Sequence, residues 1–297
     1  MREGVQGLGW FVRRTDDPAA LGRFYLDALH LPALRSWERF EGAGTMFYAG
    51  DVAVFEINKG GQAPVVDPMH SECTPIFRAR SISDAEDDII AAGGHAVGAE
   101  KSEAAETHFF TDIKGNVFGL RTADDASDFA PDVKAALRWA AGERGSEMLQ
   151  SLPETLQDLG TVRLRVEDPV ALCAFYAEML GLDVLGEPTP YLARLHMGGT
   201  GILELVSGGA RRPIPHDRID VTDVWILRVY DFISMKAHLT VNRVHLVNNV
   251  ELPGGWLEYY ADPEGHLFGF QERKAPDPNV PTTNLREDLA ARKRFGR

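Results

Sequence analysis

The chain has 297 residues, of which 44% are hydrophobic and 25% are charged, and it carries a formal net charge of −13. This length suffices for two domains of ordinary size, and so negative a chain is a poor partner for nucleic-acid phosphates. We see no apolar run that could span a bilayer and no basic-then-apolar signal peptide, so we expect a cytoplasmic protein without a membrane partner.

One stretch near the start of the chain occurs twice. Asp, Pro, Leu, Phe-Tyr and two further Leu recur in register when residues 17–31 are compared with residues 168–182. Each copy opens with Asp at a helix N-cap and Pro in the first turn, and it then places apolar residues at helical spacing. The repeat predicts an amphipathic helix in each half and therefore a duplicated chain.

The rest of each half repeats as well. In the first half the pattern predicts strand 74–79, helix 83–92, strand 108–112 and strand 117–120. In the second half it predicts strand 224–229, helix 232–241, strand 256–261 and strand 266–271. Matching turns precede the last strand of each half, beginning at Asp112 and Asp262 and containing Gly115 and Gly265.

Between and after the repeats the sequence changes character. Residues 131–150 are typical of a linker helix, and the chain after 273 is first Pro-rich and then charged. We therefore expect an N-terminal lobe 1–122 with modules 7–61 and 72–122, a helical linker 123–156, a C-terminal lobe 157–273 with modules 157–209 and 221–273, and a tail 274–297.

The paired helices and the turns at 112–115 and 262–265 support a family resemblance. In these features the chain resembles the four-module members of the vicinal oxygen chelate superfamily. Those members are built like the extradiol ring-cleaving dioxygenases, and glyoxalase I and the bleomycin-resistance proteins are shorter relatives. The resemblance covers roughly 7–122 and 157–273. It implies an α+β fold of tandem βαβββ modules, with two lobes whose curved mixed sheets each enclose a cup and whose helices pack outside.

Alternation along the strands separates residues under the helices from residues in the cups. In 161–166 the even positions are apolar, so Thr161, Arg163 and Arg165 are expected on the concave face, where Glu204 joins them. The same rule gives further cup positions: Trp10, Val12, Arg14, Glu56, Thr74, Ile76, Arg78, Val117, Gly119, Val224, Ile226, Arg228, Leu267, Gly269 and Gln271.

The resemblance also implies where a metal would bind. Metal-dependent relatives place His, Glu or Gln on the first strand of each module and Glu on the last. The matching positions here hold Trp10, Glu56, Thr74 and Gly119 in the first half and Thr161, Glu204, Val224 and Gly269 in the second. One carboxylate in each cup is too few ligands for a divalent ion. We therefore predict no metal and no other cofactor, and we expect the two glycines to open space for an organic ligand.

Glu204 has two interpretations. On one face with Arg163 and Arg165 it would be a charge-paired carboxylate. Alternatively, it would be the general base or acid of a metal-free enzyme. In both cases we expect it within hydrogen-bonding reach of Thr161 or Arg163. Glu56, with Arg14 and Arg78 on its expected face, is interpreted in the same way, and we favour the second lobe because its face offers more polar groups.

Other candidates surround the expected C-terminal cup. Tyr259 looks like the tyrosine that ring-cleaving dioxygenases keep before their last turn to bind a substrate oxygen, although it could simply pack at a strand edge. His196 and His245 could reach the mouth of the cup, and Trp256 could form an apolar wall as Trp10 would in the other lobe.

Together these patterns predict a function class. The expected catalytic residues are Glu204, Tyr259 and His196, and the expected substrate-binding residues are Thr161, Arg163, Arg165, Arg228, Gly269, Trp256, Glu56 and Trp10. The first hypothesis is a metal-independent lyase or isomerase that acts by proton transfer on a small aromatic or carbonyl-bearing anion. One alternative is a non-catalytic small-molecule binder of the bleomycin-resistance type, and another is a metal-dependent dioxygenase or glyoxalase with atypical ligands. The sequence leaves open whether the chain forms a homodimer.

Overall fold

A computed structural model describes residues 5–39, 42–50, 53–61, 71–101, 105–122, 156–229, 231–252 and 255–272. The predicted linker helix at 131–150 and the tail at 274–297 lie outside these residues. Within them the chain forms sixteen strands, four α-helices and one short 3-10 helix at Arg218–Asp220.

The elements fall into four modules that each read strand, helix, three strands. The first module contains β1 (Val5–Thr15), α1 (Pro18–Leu29), β2 (Ala33–Arg39), β3 (Gly42–Tyr48) and β4 (Val54–Lys59). The second contains β5 (Cys73–Ala79), α2 (Ile82–Ala91), β6 (His95–Lys101), β7 (Glu106–Thr111) and β8 (Val117–Thr122). The third contains β9 (Leu156–Val166), α3 (Pro169–Leu180), β10 (Asp183–Val184), β11 (Leu192–His196) and β12 (Ile202–Ser207). The fourth contains β13 (Asp223–Val229), α4 (Phe232–Val241), β14 (His245–Leu252), β15 (Gly255–Ala261) and β16 (Leu267–Glu272).

The repeated helices begin as the sequence predicts. The Asp17 side chain accepts a hydrogen bond from the Ala20 backbone N–H, and Asp168 caps α3 in the same way, with Pro in the first turn of both helices. Both helices stop at a left-handed residue, which is His30 in the first copy and Gly181 in the second. Local sequence therefore sets the length of both helices.

The two sheets do not divide between the two halves of the chain. One sheet has the strand order β14-β15-β16-β13-β1-β4-β3-β2, and the other has the order β10-β11-β12-β9-β5-β8-β7-β6. The first therefore joins modules one and four, and the second joins modules two and three. We call their concave faces the outer cup and the inner cup, because they are built from the outer and inner modules of the chain.

This pairing corrects one expectation and confirms another. The α+β fold with two curved mixed sheets and helices packed outside is confirmed. The assumption that the two modules of one half share a cup is wrong, because β1 pairs antiparallel with β13 and β5 pairs antiparallel with β9. Partner choice between similar modules is set by contacts far apart in sequence, which a local pattern does not encode. That 1–122 and 157–273 act as domains stays a prediction.

The helices bury aromatic side chains against the convex faces of both sheets. Tyr25 of α1 packs edge-on against Phe55 of β4 at 4.6 Å and against Phe118 of β8 at 5.6 Å between ring centroids, so α1 contacts both sheets. In the other copy Tyr176 of α3 packs against Trp225 at 5.5 Å. Most of the buried apolar residues form one large cluster that includes both sheets, and a small second cluster contains Ile76, Phe109 and Val117. Burial of these rings supplies much of the driving force for folding.

A fully buried arginine also connects the two sheets. Arg13 on β1 donates to Asp223 of β13 through Nε and Nη2, at 2.8 and 2.7 Å. Its Nη2 also donates to the Val117 carbonyl oxygen at 2.8 Å, and Nη1 donates to the Tyr25 hydroxyl at 2.6 Å. The network satisfies a buried cation, so it stabilises the junction of the sheets without offering a reactive group.

Candidate functional site

The inner cup brings three arginines to one carboxylate. We call Arg121, Arg163, Arg194 and Glu204 the arginine cluster. Glu204 on β12 accepts from Arg163 Nε on β9 at 2.7 Å, and from both terminal nitrogens of Arg121 on β8 at 3.2 Å each. Arg194 on β11 forms an ion pair with the same carboxylate at 3.4 Å. The predicted contact between Glu204 and Arg163 is confirmed. The register explains it, because β12 runs parallel to β9 with Glu204 opposite Arg163 and antiparallel to β11 with Glu204 opposite Arg194.

Burial and charge fix the protonation state of this carboxylate. The Glu204 side chain is 1% exposed, whereas those of Arg163, Arg121 and Arg194 are 9%, 15% and 24% exposed. Burial alone would raise the pKa of Glu204, but the positive charges of the three arginines outweigh it and hold the pKa well below its usual range. Glu204 is therefore ionised, and its oxygens accept from guanidinium groups that keep some contact with solvent.

Arg163 makes two further contacts on the open side of the cluster. Its Nη1 donates to Glu100 on β6 at 2.7 Å, and the Glu100 side chain is 45% exposed. Its guanidinium carbon lies 5.0 Å from the centroid of the Phe109 ring on β7. Burial by itself would lower the pKa of Arg163, but Glu204 and Glu100 raise it, so the guanidinium stays charged. The inner cup thus contains three positively charged guanidinium groups beside the aromatic ring of Phe109.

The other predicted residues of the inner cup make contacts outside the arginine cluster. Thr161 is buried and lies opposite Ile76 on one side and Ile202 on the other. Arg165 donates through Nη1 to the Ser207 carbonyl oxygen at 3.1 Å, at the end of the strand pair. His196 lies 3.1 Å from the Gly199 carbonyl oxygen through Nε2, inside its own hairpin. None of these three contacts belongs to the arginine cluster, and the role of His196 stays a prediction.

Five of the predicted site residues lie away from this cup because of the module pairing. Glu56, Trp10, Arg228, Gly269 and Tyr259 belong to the strands of the outer sheet, so Tyr259 does not share a cup with Glu204 as we expected. The Arg228 guanidinium carbon lies 4.6 Å from the centroid of the Trp10 ring.

Trp256 and His245 also lie away from the concave faces or at their margins. Trp256 is 40% exposed, and alternation along β15 puts it on the opposite face from Tyr259, so it forms no wall of the cup. His245 is exposed at the start of β14, opposite Ala261.

The glycines at the last-strand positions do not open space. A Cβ atom built at Gly119 would lie 3.0 Å from the Ile76 side chain, and one at Gly269 would lie 3.1 Å from both the Ile226 side chain and the Glu258 carbonyl oxygen. The expectation that these glycines make room for an organic ligand is therefore wrong. Isoleucine from the neighbouring parallel strand packs over the position instead.

The paired turns that carry the resemblance are structural. Asp262 accepts from the backbone N–H groups of Glu264 and His266, both at 2.9 Å, and from the Tyr176 hydroxyl at 2.6 Å. Asp112 accepts from its own turn and from Tyr25 in the same way. Each turn is thus tied to the tyrosine of the repeated helix, which explains why both motifs recur together.

The donor set does not fit the metal that the resemblance implies. Where the structure describes the chain, no group of three or more His, Cys, Asp or Glu side chains is placed to hold a metal ion. In the inner cup both oxygens of Glu204 already accept from guanidinium N–H groups, and three adjacent positive charges would repel a divalent cation. In the outer cup the family positions hold Trp10, Glu56, Val224 and Gly269. The predicted absence of metal remains to be tested by elemental analysis.

A separate cavity of about 430 Å³ lies where the two sheets meet. The loop that precedes β13, including Arg212, forms one wall, and the turns at Gly115 and Gly265 form another. Its lining does not include the arginine cluster. Two of its charged groups form ion pairs, Arg212 with Glu72 and Asp223 with Arg13. We place the candidate site in the inner cup because three guanidinium groups converge there on one carboxylate.

Two solved structures show which fold this is. No protein-family model matches the chain, and no curated protein matches it. A proposed dioxygenase from Bacillus subtilis superposes with a TM-score of 0.68 at 12% identity, covering 96% of this chain and 88% of its own. Glyoxalase I from Zea mays superposes with a TM-score of 0.65 at 16% identity, covering 97% of each chain.

The chain has the vicinal oxygen chelate fold.

The resemblance predicted from sequence is thus confirmed as a glyoxalase- and dioxygenase-like fold in two lobes. At such identities the match concerns the fold and not the reaction. Over the residues that the structure covers, no helix is long and apolar enough to cross a membrane.

Sequence reasoning missed two members of the arginine cluster. Arg121 continues the alternation of Val117 and Gly119 on β8, and Arg194 lies on the strand that ends at His196, so a sequence signal existed for each. Arg121 comes from the second module and the other three residues come from the third. No local pattern indicates that these modules share a cup.

Proposed function

We propose that this vicinal-oxygen-chelate-fold protein is a small-molecule binder that holds a small organic anion in the inner cup. The observation that supports the proposal is the convergence of three partly exposed guanidinium groups over one fully buried carboxylate. Three positive charges face Glu204 and Glu100, which leaves one positive charge in the cluster. Guanidinium groups bind carboxylates through paired, charge-assisted hydrogen bonds, so an organic carboxylate suits the site.

The same geometry weighs against proton transfer by Glu204. A general base is most effective when its pKa lies near the working pH. Three arginines shift the pKa of Glu204 in the opposite direction, to well below its usual range. The predicted metal-independent lyase or isomerase therefore lacks its expected base in this cup. The metal-dependent alternative is disfavoured by the same three arginines.

Calorimetric titration with a panel of benzoate, phthalate and malonate tests the proposal. Arg121→Gln should weaken the tightest-binding member about 10- to 100-fold, which corresponds to the loss of one charge-assisted bond of about 1.5–3 kcal/mol. Glutamine is a suitable replacement because Gln271 occupies the equivalent position in the outer sheet. Arg211→Gln is the matched control, because Arg211 also forms an ion pair but is 66% exposed. It should change affinity little.

Two results would count against binding by the cluster: equal affinity in Arg121→Gln and wild type, and no heat from any member of the panel at millimolar concentration. A third result would restore the enzyme hypothesis, namely turnover of a carbonyl-bearing anion that disappears in Glu204→Gln while ligand affinity is kept.

Elemental analysis of protein purified without chelator should find well under one iron, zinc, manganese or nickel per chain.

A further inference from the structure

The cavity at the junction of the sheets lies at the start of four strands. It is lined by their first residues, which are Cys73 of β5, Val117 of β8, Asp223 of β13 and Leu267 of β16. Its volume is about 430 Å³, and small-molecule pockets typically have roughly 300–1,000 Å³. The cavity is therefore large enough for an organic ligand, and it lies outside the arginine cluster.

The two halves of the chain build this junction differently. In the outer sheet Arg13 lies opposite Asp223, and the two side chains form an ion pair. The equivalent pair in the inner sheet is Leu164 opposite Cys73. Leu164 is buried, whereas Cys73 keeps partial exposure. A leucine and a thiol thus replace an ion pair, and they give the cavity an uncharged inner wall.

The outer wall is an apolar segment that solvent reaches. Ile214 lines the cavity, is 41% exposed, and stands between Pro213 and Pro215. Because proline fixes φ, the segment is stiff before a ligand arrives. The backbone N–H of Arg212, just before it, donates to the Glu264 carbonyl oxygen at 3.0 Å. A ligand between the two walls would remove apolar surface from water without reorganising the loop.

The charges of the cavity do not favour an anion. Of the residues that the structure describes, six acidic or basic side chains line it: Glu72, Asp220, Asp223, Arg212, His216 and His266. Arg212 is paired with Glu72, and Asp223 is paired with Arg13. The lining thus has three carboxylates and one guanidinium group. An uncharged ligand suits it better than the carboxylate that we propose for the inner cup.

One polar group beside the cavity has an unmet hydrogen bond. The Arg212 side chain is 27% exposed, but its Nε is buried and has no acceptor among the residues that the structure describes. A buried N–H group without an acceptor is costly and uncommon. An acceptor oxygen on a ligand next to Arg212 would satisfy it.

We propose that the cavity between the sheets is a second binding site, which takes an uncharged and mostly apolar organic ligand whose one acceptor oxygen receives a hydrogen bond from Arg212 Nε. Its ligand would contact strands of both sheets, so binding would also stabilise their junction. The inference does not depend on anion binding by the inner cup, because the lining of the cavity does not include the arginine cluster.

Calorimetric titration of the full chain with coumarin, an uncharged bicyclic lactone, tests this proposal. We expect one coumarin per chain. Arg212→Lys keeps a positive charge beside Glu72 but lacks the N–H at Nε, so it should weaken coumarin about 3- to 10-fold, the loss of one hydrogen bond. Arg211→Lys is the matched control, because Arg211 is 66% exposed and pairs with Glu167 instead. It should leave the affinity unchanged.

A second variant is chosen so that folding is not at risk. Ile214→Ala shortens a side chain that is 41% exposed on a loop, and it should weaken coumarin several-fold by removing apolar contact. Thermal unfolding of Ile214→Ala without ligand should match that of wild type.

The thiol of Cys73 reports where coumarin binds. The sequence has two cysteines, and Cys173 is 1% exposed, whereas Cys73 lines the cavity and is partly exposed. Burial raises the pKa of the Cys73 thiol, so its alkylation by iodoacetamide is slow and is followed by mass spectrometry at mildly alkaline pH. At about ten times its dissociation constant, coumarin should slow this alkylation about 10-fold, because only the empty cavity reacts.

Four results would overturn the proposal. Coumarin does not bind at millimolar concentration, or bound coumarin leaves the alkylation rate of Cys73 unchanged. Neither Arg212→Lys nor Ile214→Ala weakens it. Its binding is lost in Arg121→Gln, which would place coumarin in the inner cup. None of these results decides whether the inner cup binds anions, since benzoate, phthalate and malonate test that separately.

Discussion

Glu204 and Glu56 occupy equivalent places in two sheets with the same strand order, yet their surroundings differ. The inner cup surrounds its carboxylate with three arginines, whereas the outer cup places valine, methionine and glutamine at the same positions. The backbone therefore does not decide the chemistry of a cup. The side chains from the neighbouring strands decide it, and they can diverge while the fold stays the same.

The largest expected difference between the cups is in stability. Glu204→Gln leaves three guanidinium groups without their shared counter-charge, and removal of one partner from a buried ion pair costs about 3–5 kcal/mol. Because the arginines keep some solvent contact, we expect a loss near the lower end, about 3 kcal/mol, in the free energy of unfolding measured with urea.

Glu56→Gln is the matched control for that measurement. Its carboxylate is partly exposed and has Asn58 as a hydrogen-bond donor, so the loss should be less than half as large. Equal losses in the two variants would show that the arginine cluster does not stabilise the inner sheet.

The pH dependence of stability should distinguish the same two residues. Folding depresses the pKa of Glu204, whereas an unfolded glutamate has a pKa of about 4.3. The unfolded chain therefore binds the proton first as the pH falls, so the stabilisation is complete above about pH 5 and is lost progressively below it. The difference in unfolding free energy between wild type and Glu204→Gln should shrink by about 1.4 kcal/mol for each pH unit below the unfolded pKa. A difference that stays constant between pH 6 and pH 3 would contradict the assignment.

Features set by short stretches of sequence could be predicted. The N-caps Asp17 and Asp168, the turns at Asp112 and Asp262, and the alternation that puts Arg163 and Glu204 on one face are local. Each depends on contacts within a few residues or on neighbouring strands of one module.

Features that depend on module pairing could not be predicted in the same way. Tyr259 and Glu204 were expected in one cup because both lie in the second half of the chain, but β15 and β12 belong to different sheets. Arg121 reaches Glu204 across a separation of 83 residues. The repeat shows that the modules are alike, and for that reason it does not show which of them pair.

The smallest expected difference concerns the glycines at the last-strand positions. Alanine is normally better than glycine inside a strand, because glycine loses more backbone entropy on folding. Here both substitutions should destabilise the protein, because the added methyl group meets packed atoms at about the closest distance that real contacts allow. At Gly119 the nearest atoms belong to the Ile76 side chain, which can shift, whereas at Gly269 the Glu258 carbonyl oxygen is part of the sheet.

We therefore expect Gly269→Ala to lower the unfolding free energy by about 1–2 kcal/mol and Gly119→Ala by about 1 kcal/mol or less. Thermal and urea unfolding of both variants will measure this, and a stabilised Gly269→Ala would mean that the outer cup has open space beside Tyr259 after all.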